Sequence, residues 1–338
     1  MPKILNPLVA QRQILSGQAL VHLENLTVIS VSGEDRLTWL HSLLSQNIKN
    51  LVPGQSTQAC LLDPQGHVEQ LINLVDDGAT TWLVIGVESA PDLLVWLAKM
   101  VFRMRVTVLD QTADFPVIAS WGQALEIGES IVSWKDTWLE TAAGGYRYGQ
   151  TPTEPWQLVL NLVPANLVPE LDSKNEWASF EALDALRIAA HRPTAAEIDA
   201  KTLPHELDLL ASAVHLNKGC YRGQETVAKV HNLGHPPRRL VLLHLDGSGH
   251  TLPYVGDSVA LATDFESIKG RITSVGQHYE MGPIALAVVS RNTPLDATLV
   301  ALGEHEAISG TQEVIVPLDA GKTVDVPKLP RLLMGGKK

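Results

Sequence analysis

Lys218-Gly219-Cys220-Tyr221-Arg222-Gly223-Gln224-Glu225, the stretch KGCYRGQE, carries one of the two cysteines in a chain of 338 residues. Lys218 and Arg222 bracket that cysteine with positive charge, and Gly219 and Gly223 loosen the backbone around it. The run that follows, GQETVAKVHNLG (223–234), reads as a short helix closed by Gly234 in the left-handed position after the last turn. Cys220 thus falls just before a helix start, where orphan N–H groups and the helix dipole favour a thiolate. Gly219 and Gly223 permit left-handed backbone angles or close approach by a ligand. Together these features describe a reactive or ligand-touching thiol. The alternative is a turn cysteine that fills a small apolar hole. Cys60, in the apolar strand ACLL, reads as core.

Upstream, LTVISVSGEDRLTWLHSLLSQNIKNL (26–51) reads as a strand, a break at Ser32-Gly33 and a helix. Leu37, Leu40, Leu44 and Ile48 fall on one face of that helix. TQACLLDPQGHVEQLINLV (57–75) reads as two strands joined by an Asp63-Pro64-Gln65-Gly66 turn. TTWLVIGV (80–87) is a third strand. SAPDLLVWLAKMVFR (89–103) is a helix with Pro91 in its first turn, and RVTVLD (105–110) returns as a strand. This order is α+β rather than a regular alternation of strand and helix. The pattern weakens from 111 to 178, where FPVIASW and WQLVLNLV read as strands. SFEALDALRIAAHR (179–192) is an amphipathic helix ended by Pro193. Residues 194–221 show little periodicity, and loops of that length are usually functional or disordered.

Downstream, His235 to Arg239 reads as a linker. RLVLLHLDG, DSVALATD, SIKGRITSVGQHY, PIALAVVSR, ATLVAL and EVIVPL then form short strands divided by Gly, Asp and Pro, the pattern of a small β-barrel or sandwich. The tail, VPKLPRLLMGGKK, reads as frayed.

The totals narrow the function classes. Apolar residues make up 45% and charged residues 19%, an ordinary globular composition. A net charge of −11 argues against a general nucleic-acid binder. Two cysteines make neither a disulfide framework nor the four thiolates of an iron–sulfur cluster, which points to a reduced, cytoplasmic protein. The apolar stretch at 93–102 is too short to span a bilayer and is broken by Lys99, and no membrane association is expected. The histidines lack zinc-site spacing, so no tightly bound metal is expected. His215 and His231 are the rings available for a Cys–His pair with Cys220.

KGCYRGQE also resembles the K-G-C-Y-x-G-Q-E signature of the YgfZ family, folate-binding-like proteins related to the T-protein of the glycine cleavage system. The resemblance extends over most of the chain. It includes the N-terminal run VISVSGEDRLTWLHSLLSQNIKNLVPGQSTQACLLDPQGHV. TLPHE (202–206) is similar to the family's T-I-P-x-E element. VAKVHNLGHPPRRLVLL (227–243) continues the signature, and SIKGRITSVGQHYEMGPIALAVVSR resembles the T-protein's C-terminal barrel. The wording HNLGHPPRRLVLLHLDG looks like the actinobacterial branch.

The resemblance implies a multi-lobed T-protein-like fold around a central cavity. Residues 1–234 would form the folate-binding-type region, with one lobe from 1–110 plus 179–234 and another from 111–178. Residues 235–327 would form a C-terminal β-barrel, and 328–338 a tail. The implied function is assembly or maintenance of iron–sulfur cluster enzymes, including tRNA-modifying ones, with transient contact to those enzymes or to cluster-assembly proteins. Tetrahydrofolate is the implied cofactor. Cys220 maps onto the functional cysteine, supported by Lys218, Gly219, Tyr221, Arg222, Gly223, Gln224 and Glu225. Arg187, Arg192, Glu69 and Glu206 are candidate folate contacts. Two motifs depart from the aminomethyltransferase: Glu69-Gln70 stand where its catalytic aspartate pair would be, and Ala189 stands at its pterin-binding glutamate. The competing readings are a folate-dependent one-carbon (aminomethyl) transferase with Glu69 as base, and a non-catalytic folate-binding module.

Overall fold

The computed structural model describes residues 5–127, 131–303 and 307–324. The chain starts with α1 (Pro7–Leu15), whose first turn is capped by the Asn6 side chain, and β1 (Ala19–His22). Next come β2 (Leu26–Ser32), α2 (Arg36–Leu43), β3 (Ser56–Leu62), β4 (Val68–Asp76), β5 (Thr80–Gly86), α3 (Ala90–Met100) and β6 (Thr107–Asp110). Five of these strands form an antiparallel sheet in the order β3-β4-β5-β2-β6. Alternate residues serve its two faces. Ile29, Val31, Leu83 and Ile85 meet α2 and α3, while Val28, Trp82 and Val84 face the rest of the protein.

The second sheet draws on distant parts of the chain. β7 (Val117–Trp121), β8 (Val132–Lys135), β9 (Leu158–Leu162) and, after α4 (Val168–Lys174), β10 (Glu176–Ala178) join β1 in the order β10-β1-β7-β9-β8. The β1–β10 pair is parallel and the others antiparallel. β8 also reaches the first sheet: Trp134 Nε1–H donates to the Thr57 carbonyl at 2.7 Å. α5 (Phe180–Ala189) is the central helix, with every residue from Leu186 to Ala189 buried.

After α6 (Gln224–Leu233), six strands close into a barrel: β11 (Arg238–Leu245), β12 (Ser258–Leu261), β13 (Asp264–His278), β14 (Gly282–Ser290), β15 (Leu299–Leu302) and β16 (Ala307–Val314). Val241, Leu243, Ala285 and Ala287 fill its interior. Their outward neighbours Leu240, Leu242, Ile284 and Leu286 pack instead on Leu207, Leu209, Leu210 and Val214. The barrel is thus cemented to the rest of the molecule through a segment that has neither helix-length nor strand-length structure.

The α+β class and the C-terminal barrel stand as the sequence predicts, with local differences. The helix expected to run to Ile48 ends at Leu43, and Leu44 is already extended (ψ 159°). Leu44 and Ile48 are nonetheless fully buried, so the apolar spacing reports the core but not the backbone. Gly234 is extended rather than left-handed, although its N–H still closes the helix on Lys229 and Val230. The sixth barrel strand is Ala307–Val314 rather than EVIVPL (313–318). Arg238 and Arg239 belong to β11 rather than to a linker. α1, β1, β8, α4 and β10 have no counterpart in the sequence reading. The tail expected at 328–338 lies outside the described residues. Among the described residues no helix is long and apolar enough to cross a membrane.

Candidate functional site

The octapeptide is a pedestal with one free tip. Lys218, Tyr221 and the flanking backbone are held down, while Gly219 and Cys220 are exposed. No heavy atom lies within 4 Å of where a Cβ on Gly219 would stand. Lys218 turns inward. Its Nζ donates to the carbonyls of His41 (2.5 Å), Leu44 (2.5 Å) and Gln46 (3.0 Å), where α2 ends and leaves acceptors unpaired. Burial pulls its pKa down to about 8, while three carbonyl acceptors favour the ammonium form. The Lys218 ammonium also lies 5.2 Å from the centre of the buried Tyr221 ring. Arg222 is engaged too, donating to Glu69 on β4 at 2.9 Å. Both cations that flank Cys220 in sequence therefore point their charge at other groups.

Gly223 explains the second glycine. It is left-handed (φ 81°), and a Cβ there would stand 2.6 Å from the Asp63 carbonyl and 2.9 Å from the Gly66 Cα. Gly66, at φ 85°, is the last residue of the 63–66 turn. Two glycines from turns far apart in sequence thus let bare backbones touch. Gln224 steadies the loop by donating to the Lys218 carbonyl at 3.3 Å. Glu225 is exposed in the first turn of α6.

His215 and His231 have other partners. His231 Nδ1 lies 2.8 Å from the Tyr148 hydroxyl, and His215 Nδ1 accepts from the Asn217 N–H at 3.2 Å. Among the described residues no hydrogen bond joins either ring to Cys220, and no group of three or more His, Cys, Asp or Glu side chains converges as a metal site.

Next to the pedestal is a cavity of about 1090 Å³, between β4 and β5 on one side and β8, β9, α5 and β13 on the other. Its lining includes Trp96, Trp134, Trp156 and Phe180, with Glu69, Gln70 and Asn73 along β4. Glu69 therefore joins cavity and pedestal through Arg222, while Cys220 itself is not a lining residue.

A search with family models returns no match. Individual relatives do match. An iron–sulfur cluster assembly factor IBA57 homolog from Mycosarcoma maydis is 26% identical over 64% of this chain, a match that spans about half (54%) of that protein. The tRNA-modifying protein YgfZ of Photobacterium profundum is 23% identical over 90% of this chain and 92% of its own length. A crystal structure of the glycine cleavage system aminomethyltransferase T from Bartonella henselae superposes with a TM-score of 0.68, at 20% identity, over 96% of this chain and 93% of that one. The chain is similar to YgfZ and IBA57 proteins at low identity. Its fold is that of the aminomethyltransferase T neighbour, closed by the six-stranded barrel.

The other candidate residues divide sharply. Arg187 and Arg192 line the cavity, but their charges are already met. Arg187 binds Asp184 (2.5 Å), Glu197 (3.2 Å), the Arg192 carbonyl (2.7 Å) and Ser274 (2.6 Å). Arg192 binds Asp136 (2.8 Å) and the Pro193 carbonyl, and stacks on Trp138. Glu206 is fully buried and lies off the cavity, bound to Arg238 at 2.7 Å. Its second oxygen has no partner among the described residues, and burial raises its pKa. Ala189 sits in the apolar cluster with Leu207 and Tyr221, not on the cavity wall.

Nothing in the sequence pattern marks Ser45-Gln46. Ser45 Oγ donates to the Ala213 carbonyl (2.6 Å), and Gln46 Nε2 donates to the Ser212 carbonyl (3.0 Å). Nor does that pattern mark Asp136, which receives bonds from both Arg192 and Trp156 Nε1. The clue to Asp136 was a lone carboxylate between two tryptophans, in SWKDTW.

Proposed function

We propose that this chain is an accessory protein for the assembly or maintenance of iron–sulfur cluster enzymes, acting through Cys220. The observation that carries the reading is an exposed thiol on a loop fixed from both sides. The names of the relatives, an iron–sulfur cluster assembly factor and a tRNA-modifying protein, support it. The other thiol is unavailable: Cys60 is buried, and burial pushes its pKa up to about 12. One accessible thiolate cannot hold a cluster alone. The natural form is therefore a transient or shared contact in which the client supplies the remaining ligands.

Deletion of the gene, followed by restoration with wild type or with Cys220→Ala, tests this. Wild type restores iron–sulfur enzyme activity and the alanine variant does not. Full rescue by alanine ends the reading.

The cavity supports a second element, tetrahydrofolate. A volume of about 1090 Å³ and walls of Trp96, Trp134, Trp156 and Phe180 fit a flat ring with a tail. Gln70 and Asn73 offer polar atoms along β4. Both lining arginines are spoken for, so a folate tail would have to share them with Asp184, Glu197 and Asp136. Bound tetrahydrofolate would supply one-carbon carrier chemistry. The chain itself contributes the aromatic walls and the Glu69–Arg222 pair. Glu69 is poorly placed to act as a general base while that pair stands, because its carboxylate already accepts from the Arg222 guanidinium. Calorimetry with tetrahydrofolate is expected to give saturable heat below millimolar ligand, and none at millimolar concentration removes folate from the reading. Turnover of an aminomethyl donor that disappears in Glu69→Ala would favour the transferase instead.

A further inference from the structure

Arg222 also borders a second hollow. This groove, of about 350 Å³, is lined by Ser42 and Leu43 at the end of α2, Trp96 and Met100 on α3, and Arg222 of the octapeptide. Among the described residues no carboxylate lines it. Trp96 is common to groove and cavity. Lys99 lies three residues after Trp96 and beside Met100, on the same stripe of α3. Among the described residues neither Lys99 nor Arg103 has an ion-pair partner, in a chain whose net charge is −11. Just past the helix, Phe102 is 86% exposed. It is held at φ 43°, a left-handed backbone that bulky residues rarely take. The Arg103 guanidinium lies 5.3 Å from the centre of its ring.

An apolar slot bordered by Arg222, two residues along the chain from the exposed thiol, thus shares α3 with the unpaired Lys99, and the outward Phe102 and Arg103 follow directly after that helix. We propose that this groove docks the iron–sulfur client, as a segment of a partner protein that places an apolar side chain between Leu43, Trp96 and Met100 and sets carboxylates against Lys99 and Arg103. Charge complementarity selects an acidic segment. The apolar walls and the acidic whole disfavour nucleic acid, which calls for a basic stripe. The position of Arg222, shared by groove and pedestal, would bring the client to Cys220. This proposal rests on the cysteine reading above.

The test uses the full chain in cells that depend on it. Phe102 is replaced by the photoreactive analogue p-benzoylphenylalanine. As a control the same analogue replaces Tyr254, which is 71% exposed between β11 and β12. Irradiation is expected to join position 102 to peptides of another protein in which an apolar residue is flanked by Asp or Glu. Lys99→Glu with Met100→Lys should lower that yield about 10-fold or more. Adducts to nucleic acid, to this chain's own peptides or to peptides without acidic flanks overturn the proposal. So do equal adducts from position 254, or none from 102.

Restoration of enzyme activity separates this idea from its foundation. The Lys99→Glu, Met100→Lys variant should fail to restore activity while iodoacetamide labels its Cys220 at the wild-type rate. If that variant restores fully and Cys220→Ala does not, the groove proposal falls and the cysteine reading stands. Full restoration by Cys220→Ala removes the cysteine reading itself.

Discussion

Residues 202–225 contain two regions of opposite character. From Thr202 to Val214 every residue is buried, although the segment has little regular structure. A few residues on, Gly219 and Cys220 stand in solvent. The buried run meets its polar needs by long-range bonds. Its carbonyls take donors from Ser45 and Gln46, and His205 reaches the Val227 carbonyl at 3.0 Å. The exposed tip borrows rigidity from that run and from α2 through Lys218. A reactive group in water needs a dry, fully bonded base if it is to hold one geometry.

The largest expected contrast is chemical. With a pKa of about 12, Cys60 holds only about one part in 10⁴ as thiolate at pH 8. Iodoacetamide on the native protein is therefore expected to modify Cys220 alone, as read by peptide mass spectrometry. Rapid labelling of Cys60 without denaturant would erase the distinction between base and tip.

Next in size is the tie between them. Lys218→Ala leaves three carbonyls at the end of α2 without their donor and is expected to destabilise by about 3 kcal/mol in urea unfolding. A loss below about 0.5 kcal/mol would mean that the tip stands without that tie.

The base has its own pH signature. Burial pushes His205 down to a pKa of about 4. Between there and the unfolded value of about 6.5 the unfolded chain holds more protons, so this residue's contribution to stability falls as the pH drops through that window. Asp208, raised by burial to about 6, opposes this between about 4 and 6. Comparison with His205→Gln isolates the histidine: from pH 7 to 5 the wild type should lose about 2 kcal/mol more than the variant. Parallel curves would refute a neutral buried ring.

The smallest contrast lies within the octapeptide. Gly223→Ala forces a Cβ onto the 63–66 turn and should cost about 2 kcal/mol. Gly219→Ala meets open space and should change stability by less than about 0.5 kcal/mol. Equal effects would mean that the two glycines serve one purpose.

Much of this was legible in the sequence because it is local. The Asp63–Gly66 turn lies between runs that pair as β3 and β4. The barrel strands announce themselves by alternation and breakers. β8 and β10 escape because four and three residues are too few to show a period. The burial of 202–214 escapes because several of its partners, Ser45, Gln46 and Gln58, lie more than 150 positions away. For the site, the sequence picks out Cys220 but not the direction of its neighbours. Lys218 and Arg222 read alike as flanking charges, and only the structure shows that one reaches the end of α2 and the other reaches Glu69. Arg187 and Arg192 look available until Asp184, Glu197 and Asp136 are found beside them.

The second sheet has a consequence for synthesis on the ribosome. β1 lies between β7 and β10, so one of the earliest strands to emerge has neither neighbour until about a hundred residues later, and its parallel neighbour comes only at Glu176–Ala178. A nascent chain shorter than that carries Ala19–His22 with an unpaired edge, open to pairing with other chains. Translation stalled before residue 176 would thus yield a sticky fragment rather than a small folded lobe.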